Sequence, residues 1–193
     1  PVGADTFSDA LRWGAEIFYQ LKKLLSDKGF STSVGDEGGF SPELNNVHDA
    51  LYLVSKAVKK AGRNLVDEIN LAIDAASSEF FKNGYYIIDG GEKKLNTSEM
   101  ISLWETLTND YPIISIEDPL DENDFEGYSE LTKLLGKNIQ IVGDDFFATN
   151  LKRLQKGIDK GAANSILIKP NQIGTLTETI DTINLAKNYN YGT

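Results

Sequence analysis

The sequence contains no cysteine, which removes disulfides, zinc–thiolate sites and thiol nucleophiles from consideration and is compatible with a reducing cytoplasm. It contains a single histidine, His48, on the early part of an amphipathic helical pattern, so no histidine triad or proton relay can be built within this chain. His48 reads as an ordinary surface residue. Basic residues are the minority. Nineteen Lys and Arg against 29 Asp and Glu leave a formal net charge of −10, with the acids scattered through many segments rather than gathered into a tail. That balance repels a phosphate backbone, so nucleic acid is not an expected partner. Long apolar runs are missing as well. No stretch approaches the roughly 20 residues of a membrane span, and the first residues lack the basic start and apolar run of a signal peptide. The expectation is a soluble chain with no membrane span, in which any metal must be held by oxygen atoms.

What is present fits a globular domain with a sizeable core: 40% of the residues are hydrophobic and 25% charged. Short β-like runs alternate with amphipathic helical patterns, which points to the α/β class with a parallel sheet, and no linker or low-complexity segment divides the chain. A helix is expected over residues 6–28, with Phe7, Leu11, Ile17, Phe18, Leu21, Leu24 and Leu25 as its apolar stripe and Gly29 as its stop. Residues 30–34 and the turn Gly35-Asp36-Glu37-Gly38-Gly39 follow, and Ser41-Pro42-Glu43 is expected to open a second helix. Further strands are expected at 69–73, 112–116, 139–142 and 165–168, with a hairpin around 85–91 and capping boxes at Asn96…Glu99 and Thr175…Glu178. This makes about five strand–helix units. Pro1 is not an initiator methionine and the last residues follow directly on a helical pattern, so the chain reads as a portion of a longer one.

The strand ends carry the chemistry. In order they read Asp-Glu, Asp74, Glu117-Asp118, Asp144-Asp145 and Lys169, each after an apolar run, which is where a barrel places its active site. Successive charged positions lie about one βα unit apart, the first interval being lengthened by the hairpin. Taken singly, an acid at a strand end is usually a solvated loop residue or a helix cap. An ordered set is different, because carboxylates meeting in one mouth repel one another unless a cation neutralises them. An all-oxygen set suits Mg²⁺, so Asp74, Glu117 and Asp144 are the expected metal ligands. Lys169 follows three aliphatic residues and is expected to point into the same mouth, where desolvation and a nearby dication would depress its pKa into the range of a base. The Gly35–Gly39 turn suits close approach to a ligand, but a glycine-rich turn alone is weak evidence, and Glu37 gains weight only from its neighbours.

Several segments together resemble the enolase family: Pro1-Val2-Gly3-Ala4, Val34-Gly35-Asp36-Glu37-Gly38-Gly39-Phe40, Ile116-Glu117-Asp118-Pro119, Val142-Gly143-Asp144-Asp145 and Lys169-Pro170-Asn171-Gln172-Ile173-Gly174-Thr175. The resemblance runs the whole length and looks bacterial. It implies a TIM-type (β/α) barrel of the enolase superfamily, here an incomplete portion. Residues 1–193 would be part of the C-terminal catalytic barrel domain, with an N-terminal α+β domain and the end of the barrel outside this chain. The implied activity is that of a lyase, phosphopyruvate hydratase, interconverting 2-phosphoglycerate and phosphoenolpyruvate plus water in glycolysis. In that activity Asp74, Glu117 and Asp144 hold Mg²⁺, Lys169 takes the C2 proton, Glu37 protonates the departing C3 hydroxyl, and Glu117, Asp144 and Lys169 contact substrate. It also implies a homo-oligomer, dimer or octamer, in the cytoplasm, with cell-surface or secreted forms also in view. Two positions depart from the family pattern: Pro170 stands where valine is common, and Ser78 replaces a common alanine. Other enolase-superfamily enzymes, such as racemases and cycloisomerases, and a surface plasminogen-binding role remain as alternatives.

Overall fold

Thr6 sets the first helix. In extended backbone its hydroxyl accepts the Asp9 N–H at 3.1 Å, and α1 (Phe7–Asp27) runs from there until Gly29, whose φ of +78° ends it. The structure, a computed structural model, describes all of residues 1–193 and resolves into two compact units, Pro1–Asn70 and Leu71–Thr193.

In the first unit α1 packs against α2 (Val47–Lys60). Trp13, Val58 and Ile69 form a buried cluster ringed by Ala4, Ile17 and Leu65. Arg63 lies over Trp13, 4.0 Å from the ring centroid, between Glu16 and Glu68. Two expectations are corrected here. The second helix does not open at Ser41-Pro42-Glu43: Asn46 accepts the Asp49 N–H at 3.0 Å and is the cap, while Pro42 and Leu44 line a small apolar cavity of about 120 Å³ with Leu21, Leu25, Phe40 and Leu53. Packing of that segment overrides its helix-start signal. Residues 30–34 also do not join the parallel sheet, because exposed Ser31 and Ser33 give the run no face to bury; its one bridge is Val34 with Phe40, antiparallel across the glycine turn.

The second unit holds four parallel strands, so four strand–helix repeats stand where about five were expected. They are β1 (Leu71–Asp74), β5 (Ile113–Glu117), β6 (Gln140–Gly143) and β7 (Ser165–Ile166), adjacent in that order. Between β1 and β5 the chain makes a three-stranded antiparallel meander, β2 (Phe81–Lys82), β3 (Tyr85–Ile88) and β4 (Lys93–Leu95). The Asp89-Gly90-Gly91 turn joins the last two as expected. The β2–β3 turn, Asn83-Gly84 with φ of +53° and +82°, is the two-residue hairpin type that tolerates left-handed backbone. The connecting helices are α3 (Thr97–Asp110), α4 (Phe125–Leu135), α5 (Leu151–Lys160), the single turn α6 (Pro170–Ile173) and α7 (Leu176–Asn188). The capping box at α3 forms in full: Asn96 accepts the Glu99 N–H at 3.0 Å and its own N–H donates to Glu99 at 2.8 Å. At α7, Thr175 accepts the Glu178 N–H at 3.2 Å.

Register sorts the strand side chains onto two faces. Ile73, Ile116 and Ile141 are level with one another, as are Gly143 and Ile166, and Ile116, Ile141 and Ile166 are buried. An aromatic core accompanies them: Tyr128 of α4 stacks on Phe146 at 3.7 Å and 10°, with Phe125 and Phe147 against the same ring. The alternate residues, Asp74, Glu117, Val142 and Ser165, are level on the opposite face.

Candidate functional site

Asp74 and Glu117 are direct partners across β1 and β5, and Glu117 is level with Val142 on β6. Asp144 lies two residues beyond Val142 and so returns to the same face. Lys169, beyond the end of β7, completes the group: its Nζ donates to Asp144 Oδ2 in an ion pair. Its backbone is held as well, the Lys169 N–H donating to Thr149 Oγ1 at 2.8 Å. Four of the residues singled out from the sequence are thus brought together at the carboxyl ends of the parallel strands. The fifth, Glu37, lies in the first unit, exposed on the glycine turn that closes through Gly35 N–H to Gly39 O at 2.9 Å.

The electrostatics of the cluster are those of crowded acids. Loss of solvent, with the charges of Asp74, Asp144 and Asp118, pushes the Glu117 carboxyl up to about 7. Asp74 is also raised, by loss of solvent and by Asp144, although its Oδ1 accepts the Ala76 N–H at 3.0 Å. Asp144 is buried, and its Oδ1 has no hydrogen-bond partner. A buried carboxylate oxygen without a donor is an energetic liability unless something positive reaches it. The pKa of Lys169 is raised, because the hydrogen bond and charge of Asp144 stabilise the ammonium more than desolvation disfavours it; the lowering expected beside a dication belongs to the metal-bound state.

The acid that sequence reasoning left as a bystander is Asp118. Its carboxylate oxygens lie within 4.8 Å of those of Asp144 and Asp145, the spacing of a metal cluster. They are occupied, however: Asp118 accepts the N–H groups of Asp144 at 3.0 Å, Asp145 at 2.8 Å and Phe146 at 3.4 Å, and the Tyr128 hydroxyl at 3.2 Å. The signal was available in the strand period, which turns Asp118 away from the face that Glu117 shares. The rim around it is pinned from several sides. The N–H groups of Asp121 and Glu122 donate to the Tyr86 hydroxyl and to Ser78 Oγ, each at 2.9 Å, and Trp104 donates to Pro119 O at 2.9 Å. Arg153 of α5 donates to Phe146 O at 2.6 Å and also to Glu122 O, joining the loops after β5 and β6. Both departures find a place: Ser78 anchors the rim, and Pro170 takes the first position of α6, where its missing N–H leaves no helix bond unmade.

Charged residues gathered at the carboxyl ends of parallel strands mark the site of an α/β protein, and the sequence comparison gives its kind: residues 1–193 match the family described as the enolase C-terminal TIM barrel domain, and the chain belongs to it. It is also 52% identical over 193 residues to an enolase of Corynebacterium kroppenstedtii, an alignment covering 99% of this chain and 45% of the relative. The chain therefore spans about half the length of that curated relative. No helix is long and apolar enough to cross a membrane.

Proposed function

We propose that this chain supplies part of the catalytic barrel of a longer, Mg²⁺-dependent lyase that interconverts 2-phosphoglycerate and phosphoenolpyruvate plus water. The observation that carries the reading is the meeting of Asp74, Glu117, Asp144 and Lys169 at one strand-end rim, in a chain 52% identical to an enolase. The donor set fits the metal: the carboxylates of Asp74, Glu117 and Asp144 are hard oxygen ligands, and the buried, unpartnered Asp144 Oδ1 and the raised Glu117 both call for positive charge. When bound, Mg²⁺ supplies electrostatic stabilisation for the negative charge that develops beside the substrate carboxylate.

The protein groups move the protons. Lys169 Nζ removes the proton from C2, and it does so as a neutral amine, which requires that Asp144 be engaged elsewhere, since the pair between them holds the ammonium. Glu37 gives a proton to the C3 hydroxyl as the carbon–oxygen bond breaks, so that the oxygen leaves as water and the electron pair left at C2 becomes the new double bond. Glu117, Asp144 and Lys169 line the substrate's reacting end. The same reading includes an N-terminal α+β domain and the rest of the barrel outside this chain, homo-oligomeric assembly and a cytoplasmic location, all resting on the family relationship.

The test is deuterium exchange at C2 of 2-phosphoglycerate, followed by NMR, in a full-length chain carrying these residues. Lys169→Ala is expected to abolish both turnover and exchange, and Glu37→Gln to block turnover while leaving exchange measurable. Exchange that survives in Lys169→Ala and disappears in Glu37→Gln would reverse the two roles.

A further inference from the structure

We infer that Asp118 is a positioning residue that fixes the aim of Asp144, an inference that rests on the reading of Asp144 as a metal ligand. Asp118 is 4% exposed and sits among N–H and O–H donors rather than beside a cation. Three of those donors are consecutive backbone amides, of Asp144, Asp145 and Phe146, so one side chain holds the whole turn that leaves β6. Its backbone is stitched to the same strand, the Asp118 N–H donating to Val142 O at 3.0 Å. Residue 118 therefore holds two successive peptides, through Val142 O and the Asp144 N–H.

The turn then closes on itself, Phe147 and Ala148 both donating to Asp144 O, at 3.2 and 2.6 Å. With its N–H and carbonyl both engaged, Asp144 has little freedom except at its side chain, which presents Oδ2 to Lys169 and leaves Oδ1 without a partner. Asp118 itself adopts left-handed backbone, with a φ of +42°, an uncommon conformation for a residue with a Cβ. Such a conformation persists where surrounding bonds over-determine it, and these do. Tyr128 adds the outermost tie, its hydroxyl on Asp118 Oδ1 and its ring on Phe146. A carboxylate suits this task better than an amide: it offers two acceptor oxygens and no donor, whereas asparagine would turn an NH₂ toward backbone N–H groups.

The experiment measures the Mg²⁺ dissociation constant by calorimetry, in the full-length protein well below each variant's melting temperature, for Asp118→Asn, Tyr128→Phe, Asp144→Asn and Leu131→Ala. Leu131 is a fully buried residue of α4 whose apolar side chain makes none of these hydrogen bonds, and its truncation is the control for lost stability. Asp118→Asn is expected to weaken Mg²⁺ binding by about 10- to 100-fold, the usual effect of removing a group that orients a ligand. Tyr128→Phe, which keeps the ring stack, should weaken it in the same direction by a smaller factor and serves if Asp118→Asn does not fold. Leu131→Ala should lower the melting temperature and leave the constant unchanged. Unaltered binding in Asp118→Asn and Tyr128→Phe beside weakened binding in Asp144→Asn would overturn the inference. Weakening in Leu131→Ala equal to that in Asp118→Asn would overturn it too, by making stability the cause. Unaltered binding in Asp144→Asn would instead remove the metal reading on which it stands.

Discussion

Replacing Glu117 by glutamine should make the metal-free protein more stable and the metal-dependent protein worse. Glu117 is half-buried among Asp74, Asp144 and Asp118, and this environment pushes its carboxyl from 4.5 up to about 7. A displacement of that size corresponds to about 3 kcal/mol of disfavoured charge, and screening of a side chain open to solvent reduces it to ~1 kcal/mol. A group whose folded pKa is raised contributes stability that is fully present below its unfolded value and lost as pH rises through the folded one. The strain of Glu117 should therefore be absent near pH 4.5 and complete above about pH 7. Glutamine keeps the shape and cannot ionise. At pH 8 in chelator the Glu117→Gln protein should melt about 2–4 °C higher than the parent, with the difference closing toward pH 4.5. On the proposed reading of Glu117 as a Mg²⁺ ligand, adding Mg²⁺ should reverse the order, because the parent would gain from binding and the variant would lack a charged ligand. Thermal melts across pH, with and without Mg²⁺, read both halves. A variant that melts lower in chelator at pH 8, or gains as much from Mg²⁺ as the parent, would refute the reasoning.

Two further outcomes follow from packing and from buried phenols. Gly157→Ala in α5 should destabilise by about 1–3 kcal/mol in denaturant unfolding, although alanine is ordinarily the better helix former by about 1 kcal/mol, because its Cβ would meet Phe147 at 2.5 Å. Tyr86 and Tyr191 are both pushed up to about 12 by burial, so above pH 10 the unfolded chain gives up phenolic protons that the folded one keeps, and stability should fall steeply between pH 10 and 12. Ultraviolet titration of the phenolates against unfolding checks this: tyrosines that all ionise before the fold is lost would contradict it.

The charged rim was legible because strand period and strand-end position are both properties of local sequence. Asp74, Glu117, Asp144 and Lys169 could be set at successive strand ends from the apolar runs and their spacing, and the register pairs Asp74 with Glu117 and levels both with Val142, two residues before Asp144. What the sequence concealed depended on partners remote along the chain. The role of Asp118 needs amides 26 to 28 residues away, and the start of α2 was decided by a cavity rather than by the serine and proline before it. The ion pair of Lys169 with Asp144 is of the same kind, since it needs two strand ends remote along the chain to come within reach. The short strand at 81–82 was missed because two residues carry no period, although Asn83-Gly84 marks the turn between it and its neighbour.

Arg153 belongs to a helix on the outside of the sheet, yet its guanidinium reaches the carbonyls of Glu122 and Phe146 in two different loops. A planar fork of fixed donors can brace two acceptors at once, which a single ammonium on a flexible stem does less well. The sequence of α5 is consequently not free to drift like an ordinary surface helix. A lysine at position 153 would conserve charge and give up the brace, leaving the two loops free to move separately. Mechanically, the loops after β5 and β6 behave as one part, and the screw that fastens them is driven from the back.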